Sequence, residues 1–219
     1  MSQTMPNGTV YSISTALAAG IPITGVSNAN PAVAACATPP AAPTIGLMQS
    51  SWSGLNNRVV NAIAPVANTS FELEGFDTTS LVLYPAGQGA GAFQAATTWQ
   101  PLGQVTDIKT SGGTQQFVTW QYAEDPTGRQ QQRPTYKDAK SLALTLDYDP
   151  TLAWHQALIA ADQSKALVIL RAALPNGDAL YWPAYVSFDQ DPTQDLNKNM
   201  TVTVTFSLQS VATRVPVGG

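Results

Sequence analysis

The sequence predicts a mainly β protein with a single α-helix, and three observations carry that prediction. Polar and apolar residues alternate strictly through Ser141–Tyr148 and again through Met200–Gln209, the period of a strand with one buried face. Only one stretch, Thr151 to Gln163, has helical spacing. Through the first hundred residues Pro, Gly and Asn recur too often for a helix to persist, because proline removes a backbone donor and clashes with the preceding turn.

In chain order, Thr9–Ser14 reads as a first strand or extended arm, with Val10 and Ile13 set between polar neighbours. From Ala18 to Gln49, Ile21-Pro22, Asn30-Pro31 and Pro39-Pro40 break any helix. Short strands fit instead: Ile23–Val26, Ile45–Met48, Arg58–Ile63, Ser70–Leu73 and Leu81–Tyr84, together a small β-rich unit. A second region opens near Thr97. Trp99–Lys109 and Gln115–Tyr122 read as two strands joined through Ser111-Gly112-Gly113, with Phe117 on one side of the second strand and Val118, Trp120 and Tyr122 on the other. Glu124–Lys140 follows as a polar loop interrupted by Asp125-Pro126, Gly128 and Arg133-Pro134. It is long for a hairpin connection, and long ordered loops are usually functional. In Ser141–Tyr148, Leu142, Leu144, Leu146 and Tyr148 share a face.

Asp149-Pro150 reads as the start of the helix, with Asp149 as N-cap and Pro150 at the first helical position. Lys165 sits near the other end, where a cation suits the macrodipole. Leu167–Leu174 and Ala179–Ser187 form a hairpin around Pro175-Asn176-Gly177-Asp178, since Asn-Gly is a strong hairpin signal. In the last strand Val202, Val204, Phe206 and Leu208 face a core, and Thr201, Thr203, Thr205, Ser207 and Gln209 face away. That outer face is polar yet uncharged, which suits contact with another subunit or a lumen better than bulk water.

Charge and chemistry narrow the function. Of 219 residues 44% are apolar and only 11% charged, against about a quarter in ordinary globular chains. The net charge is −4, and no Lys/Arg cluster is dense enough to grip phosphates. Residues 1–57 carry no Asp, Glu, Lys or Arg, nor does the run Thr78–Thr106; this shift in composition marks two regions of different character. Cys36 is the sole cysteine, so no internal disulfide and no thiolate metal set exists, and a reducing cytoplasm fits. No signal peptide and no apolar run of membrane-spanning length is evident. His155 is the only histidine, and no nucleophile elbow, paired zinc histidines or phosphate loop is present. The pairs Asp147/Asp149 and Asp189/Asp191 read as strand-end and turn aspartates rather than a metal or acid–base pair. Gly87-Gln-Gly-Ala-Gly91 reads as a turn, and the sequons at Asn7, Asn68 and Asn199 carry no weight in a cytoplasmic product. No enzyme and no cofactor is expected.

The order of features in the C-terminal half resembles the tail tube (major tail) proteins of siphophages. The alternating Ser-Leu-Ala-Leu-Thr-Leu strand, Asp149-Pro150 before a single helix, Leu-Pro-Asn-Gly-Asp in a hairpin and the closing Met-Thr-Val-Thr-Val-Thr-Phe-Ser-Leu-Gln strand carry the likeness, as does Gln116–Asp125 upstream. It covers roughly residues 97–214, with Val10–Ile13 as the first strand. Ile23–Val33, Leu55–Val60 and Ser70–Gly75 resemble a small β-rich decoration module. The resemblance implies two packed antiparallel β-sheets, sandwich- or barrel-like, with one flanking α-helix and a small β-rich insert. It divides the chain into an N-terminal arm and first strand (1–20), an inserted module (21–95) and a tube core (96–219).

The resemblance further implies hexameric rings stacked into a hollow tube that delivers the genome, found in the virion tail after synthesis in the host cytoplasm. Its partners would be further copies of itself, a tape measure protein, tail terminator and distal tail proteins, and double-stranded DNA passing without specific binding; no membrane is involved. The long loop would reach the neighbouring ring through Glu124, Asp125, Arg129, Arg133, Lys137, Asp138 and Lys140, with the N-terminal arm as a second contact. Asp147, Thr201, Thr203 and Thr205 are candidates to face the lumen, where a neutral or acidic wall would let DNA slide. Two other classes fit the residues: a different tail ring component, such as a terminator or distal adaptor, and a carbohydrate-binding β-module, given five Trp and seven Tyr.

Overall fold

The structure is a computed structural model and describes residues 7–194 and 196–216. The first six residues of the expected N-terminal arm lie outside the described part. In chain order the strands are β1 (Val10–Leu17), β2 (Ile21–Ile23), β3 (Gly25–Val26), β4 (Ala32–Ala35), β5 (Thr44–Ser50), β6 (Arg58–Val66), β7 (Ser70–Leu73), β8 (Gly91–Leu102), β9 (Val105–Ser111), β10 (Gln115–Trp120), β11 (Gln131–Lys137) and β12 (Lys140–Asp147). The helix α1 (Ala153–Ser164) precedes β13 (Val168–Ala173), β14 (Ala179–Phe188), β15 (Thr201–Leu208) and β16 (Thr213–Val215).

All pairings among the described strands are antiparallel. One large sheet runs in the order β3-β4-β7-β6-β5-β8-β1-β13-β14-β15-β12-β9, with β2 added to β8 and β16 to β14; β10 and β11 pair only with each other. The large sheet folds over its apolar faces into a sandwich-like body, as expected for a mainly β chain with one helix.

Three apolar clusters hold it. The first joins Ile13, Leu144, Leu146, Leu170, Val204 and Phe206 to Trp154 and Leu158 of α1. It is assembled by the alternation in β12 and β15, whose apolar members pair directly: Leu142 opposite Phe206, Leu144 opposite Val204, Leu146 opposite Val202. The second lies among β2–β7 and the start of β8, around Trp52, Phe71 and Phe93. The third, Leu47, Val59, Ile169, Ala179 and Tyr181, lies between them. Strands β13 and β14 are therefore covered on both faces, which explains why Val168, Ile169 and Leu170 form an unbroken apolar run. Where β1 shifts register after Ser14, the Ile169 N–H donates to Ser14 Oγ at 2.8 Å, so the buried amide keeps a partner.

Several boundaries differ from the sequence expectation. Ile23–Val26 is split at Thr24, whose N–H bonds back to Ala35. Trp99–Lys109 is not one strand: Gln104, at φ 60°, turns the chain from β8, which pairs with β1, into β9, which pairs with β12. Leu81–Tyr84 is a turn, with Leu83 and Tyr84 donating to the Ser80 carbonyl. Tyr84 is buried edge-on to Trp52 and Phe76, while Leu81, Val82 and Leu83 are exposed. Asp149 does not cap the helix. Its carboxylate accepts the N–H and hydroxyl of Thr151 in a local turn, and the helix begins at Ala153 with Leu152 as N-cap and no side-chain cap. Lys165 is the C-cap, in the left-handed region at φ 51°, and pairs with Asp162 at 3.2 Å.

Candidate assembly interface

Between β9 and β12 the chain leaves the body and returns. β9 and β12 pair as far as Ser111 opposite Ser141; beyond them β10 and β11 form a two-stranded arm that no other described strand joins. The expected hairpin of β9 with β10 across Gly112-Gly113 does not form. Those glycines mark the bend where the arm departs. Both have positive φ (76° and 78°), and a Cβ on Gly112 would collide with the Ala139 carbonyl, so only glycine fits this bend. Across it, Gly113 N–H reaches the Asp138 carbonyl at 3.2 Å and Asp138 N–H the Thr114 carbonyl at 2.9 Å.

The arm changes the meaning of the expected loop. Glu124–Lys140 is not a loop throughout: Gln131–Lys137 is β11, and only the turn around residues 121–130 connects the strands. Glu124, Asp125 and Arg129 lie in that turn. Arg133 and Lys137 lie on β11 opposite Val118 and Gln115. Asp138 sits in the bend and accepts from Gln116 Nε2 at 2.7 Å, and Lys140 opens β12. The signal that β11 is a strand was weak, because Arg133-Pro134 interrupts it; proline is tolerated where a strand's edge faces outward. Asp125 accepts the hydroxyl and N–H of Thr127, and these bonds hold its carboxyl below the usual carboxylate range.

No residue of the arm is buried in the chain's own core. Phe117, Val118, Tyr122 and Tyr136 are all exposed, Tyr136 at 66%. A ribbon of two strands is marginal by itself in water, and exposed apolar side chains on such a projection are the kind of surface that a partner can cover.

The second surface is the outer face of β9, β12, β15 and β14. Register places the expected lumen residues side by side: Asp147 opposite Thr201, Thr145 opposite Thr203, and Ala143 opposite Thr205, which also meets Ser187. The positive charge on this face, Lys109, is paired with Asp107 at 3.0 Å, and the Lys109 and Ile108 bonds hold the Asp107 carboxyl below its ordinary range. Among the described residues the outer edge of β9 has no strand beside it, an open row of backbone groups that another chain can satisfy.

The residues weighed for chemistry are placed in structural roles. His155 is buried among Tyr148, Trp154 and Phe188. Asp189 accepts the Asp191 N–H in a turn. Cys36 is buried in the second cluster, where burial pushes its thiol up. Among the described residues no group of three His, Cys, Asp or Glu is placed to hold a metal, and no helix is long and apolar enough to cross a membrane.

A family model described as "Phage tail tube protein, TTP" matches residues 50–216. Among solved structures, a chain of a "virion of native gene transfer agent (GTA) particle" is similar at TM-score 0.41 and 9% identity, covering 53% of this chain and 88% of that one. A chain of the "anti-feeding prophage cap (AFP tube terminating cap)" is similar at TM-score 0.34 and 18% identity, covering 54% and 83%. No curated protein matches in sequence.

Proposed function

Because the chain belongs to the phage tail tube protein family, a structural component of the virion tail and not an enzyme, we propose that it assembles as hexameric rings stacked into a hollow tube that conducts the genome. The observation that carries this reading is the β10–β11 arm, whose aromatic and aliphatic side chains stay about half or more exposed among the described residues. In the tube the arm lies against the neighbouring ring. Arg129, Arg133, Lys137 and Lys140, interspersed with Glu124, Asp125 and Asp138, set register more than affinity there. Ring closure supplies the β9 edge with a partner strand and removes the open edge.

The polar face of β12 and β15 lines the channel. DNA carries about one charge per 1.7 Å of axis, and a wall of Thr201, Thr203 and Thr205 with Asp147 gives its phosphates nothing to hold. The same channel accommodates a tape measure protein before ejection, with terminator and distal tail proteins at the two ends. The module at 21–95 sits outside the tube, since an insert inside would obstruct DNA. The tryptophans give a sugar-binding reading little support, since all five are buried or half-buried; the exposed rings include tyrosines, of which Tyr122 and Tyr136 lie on the arm.

Negative-stain microscopy of the purified protein tests the proposal. Long hollow tubes of uniform diameter are expected. Closed single rings would favour a terminator or distal adaptor, and a population of monomers at all concentrations would refute assembly.

A further inference from the structure

We propose that the cleft between Arg58 and Arg214 receives the Glu124 carboxylate from the arm of a second copy, an inference that rests on the arm being the assembly element. Arg58 opens β6 with its guanidinium over the Phe76 ring, 4.9 Å from the centroid. Its Nε is buried and has no hydrogen-bond partner, and it forms no ion pair among the described residues. Burial pushes this guanidinium below its ordinary pKa, with Tyr84 opposing the shift. A half-buried charge left unpaired is costly, and an arriving anion relieves that cost.

The cleft, about 380 Å³, is lined by Arg58, Glu74, Phe76, Thr213 and Arg214 among others. Glu74, also in the lining, accepts Asn61 Nδ2 on Oε2 at 2.6 Å and is not paired with Arg58 among the described residues. Arg214 is bonded to Asp178 through Nε at 2.9 Å, which fixes its guanidinium at the cleft. Among the described residues no carboxylate forms an ion pair with Arg58.

The arm turn offers one. Asp125 is engaged by Thr127 and Asp138 by Gln116, whereas the exposed Glu124 has no partner among the described residues. Position favours a second copy as its source. The cavity in the crook of the arm and the arginine cleft share Ala212 as a wall, so the cleft lies near the arm's root. From Gln115 to Trp120 the extended strand reaches about 17 Å, which sets the turn carrying Glu124 away from the arm's root. A copy displaced along the arm by that distance brings its cleft to the first copy's tip. Such a head-to-tail contact does not close on itself, and repetition builds a filament.

Glu124→Lys is expected to lower assembly, read by sedimentation and tube counts in micrographs, by about tenfold or more, the factor of a lost pair worth ~1.4 kcal/mol. Arg58→Glu should do the same, with Arg58→Gln as a milder variant whose fold is checked by thermal melting. The double variant Glu124→Lys, Arg58→Glu should regain tubes. Glu124→Lys assembling as the parent does would overturn this pairing. If arm removal abolishes tubes while Glu124→Lys does not, the arm's role stands and the pairing falls. If inorganic phosphate raises the melting temperature of the parent and of Glu124→Lys equally, but not of Arg58→Gln, and Glu124→Lys still forms tubes, the cleft is a free-anion site and the proposal is wrong.

Discussion

Deleting residues 114–137 and joining Gly113 to Asp138 is expected to leave a folded subunit that forms no tubes. The deleted residues contribute no buried side chain to any of the three clusters, so the core keeps its contacts and the melting temperature should stay within a few degrees. The junction is already prepared: Gly112 and Gly113 both hold positive φ, and Gly113 N–H already reaches the Asp138 carbonyl, so a short turn can close β9 onto β12. What disappears is the exposed surface of Phe117, Val118, Tyr122 and Tyr136 together with the charges beside it. Sedimentation should show a small species at concentrations where the parent pellets. Tubes of normal length from the shortened chain would mean that ring stacking relies on another surface.

The largest effect on stability is expected at Phe206. Its side chain is fully buried in β15, and its strand neighbours are Leu142 on one side and Val186 on the other. Phe206→Ala removes a ring from the centre of the first cluster and should cost about 3–5 kcal/mol, a large share of the 5–15 kcal/mol typical of a whole domain. Thr205→Ala, one residue away on the polar face, should cost less than about 0.5 kcal/mol. Denaturant unfolding separates them: the Phe206→Ala midpoint should fall sharply with an unchanged slope. Similar midpoints for both variants would contradict the assignment of faces in β15.

The elements that were legible in the sequence are those whose own residues determine their partners. Leu142, Leu144 and Leu146 in β12, with Val202, Val204 and Phe206 in β15, alternate so regularly that register and buried face follow from the pattern. Asn176-Gly177 located the β13–β14 hairpin for the same local reason. The misreadings fall where a distant partner decides. Asp149 has the residue type of a cap, but Thr151 two residues on competes for its carboxylate, and the helix waits until Ala153. Leu81–Leu83 has strand composition, but the burial of Tyr84 against Trp52 and Phe76 holds the segment in a turn. β4 and β16 were missed because Ala32–Ala35 and Thr213–Val215 are too short to alternate visibly; they exist because β7 and β14 present edges to them. At the interface, sequence marked Glu124–Lys140 as functional but not as half of an arm, since β11 pairs with β10 and has no apolar face of its own. Nothing in the sequence around Arg58 distinguishes it from an ordinary strand-end arginine; that it pairs with no carboxylate among the described residues is a tertiary fact.

Strand β8 touches all three clusters in turn, with Phe93 in one, Ala96 and Trp99 in the next and Leu102 in the last. At about 3.3 Å per residue it is roughly 40 Å long and is laced by hydrogen bonds to β1, β2 and β5. A drag force on the part of the molecule around Phe93 passes as tension along this strand into the wall around Leu102. The two ends should also melt together, in one calorimetric peak, and a long flexing filament built of such units would bend between its subunits and not within them.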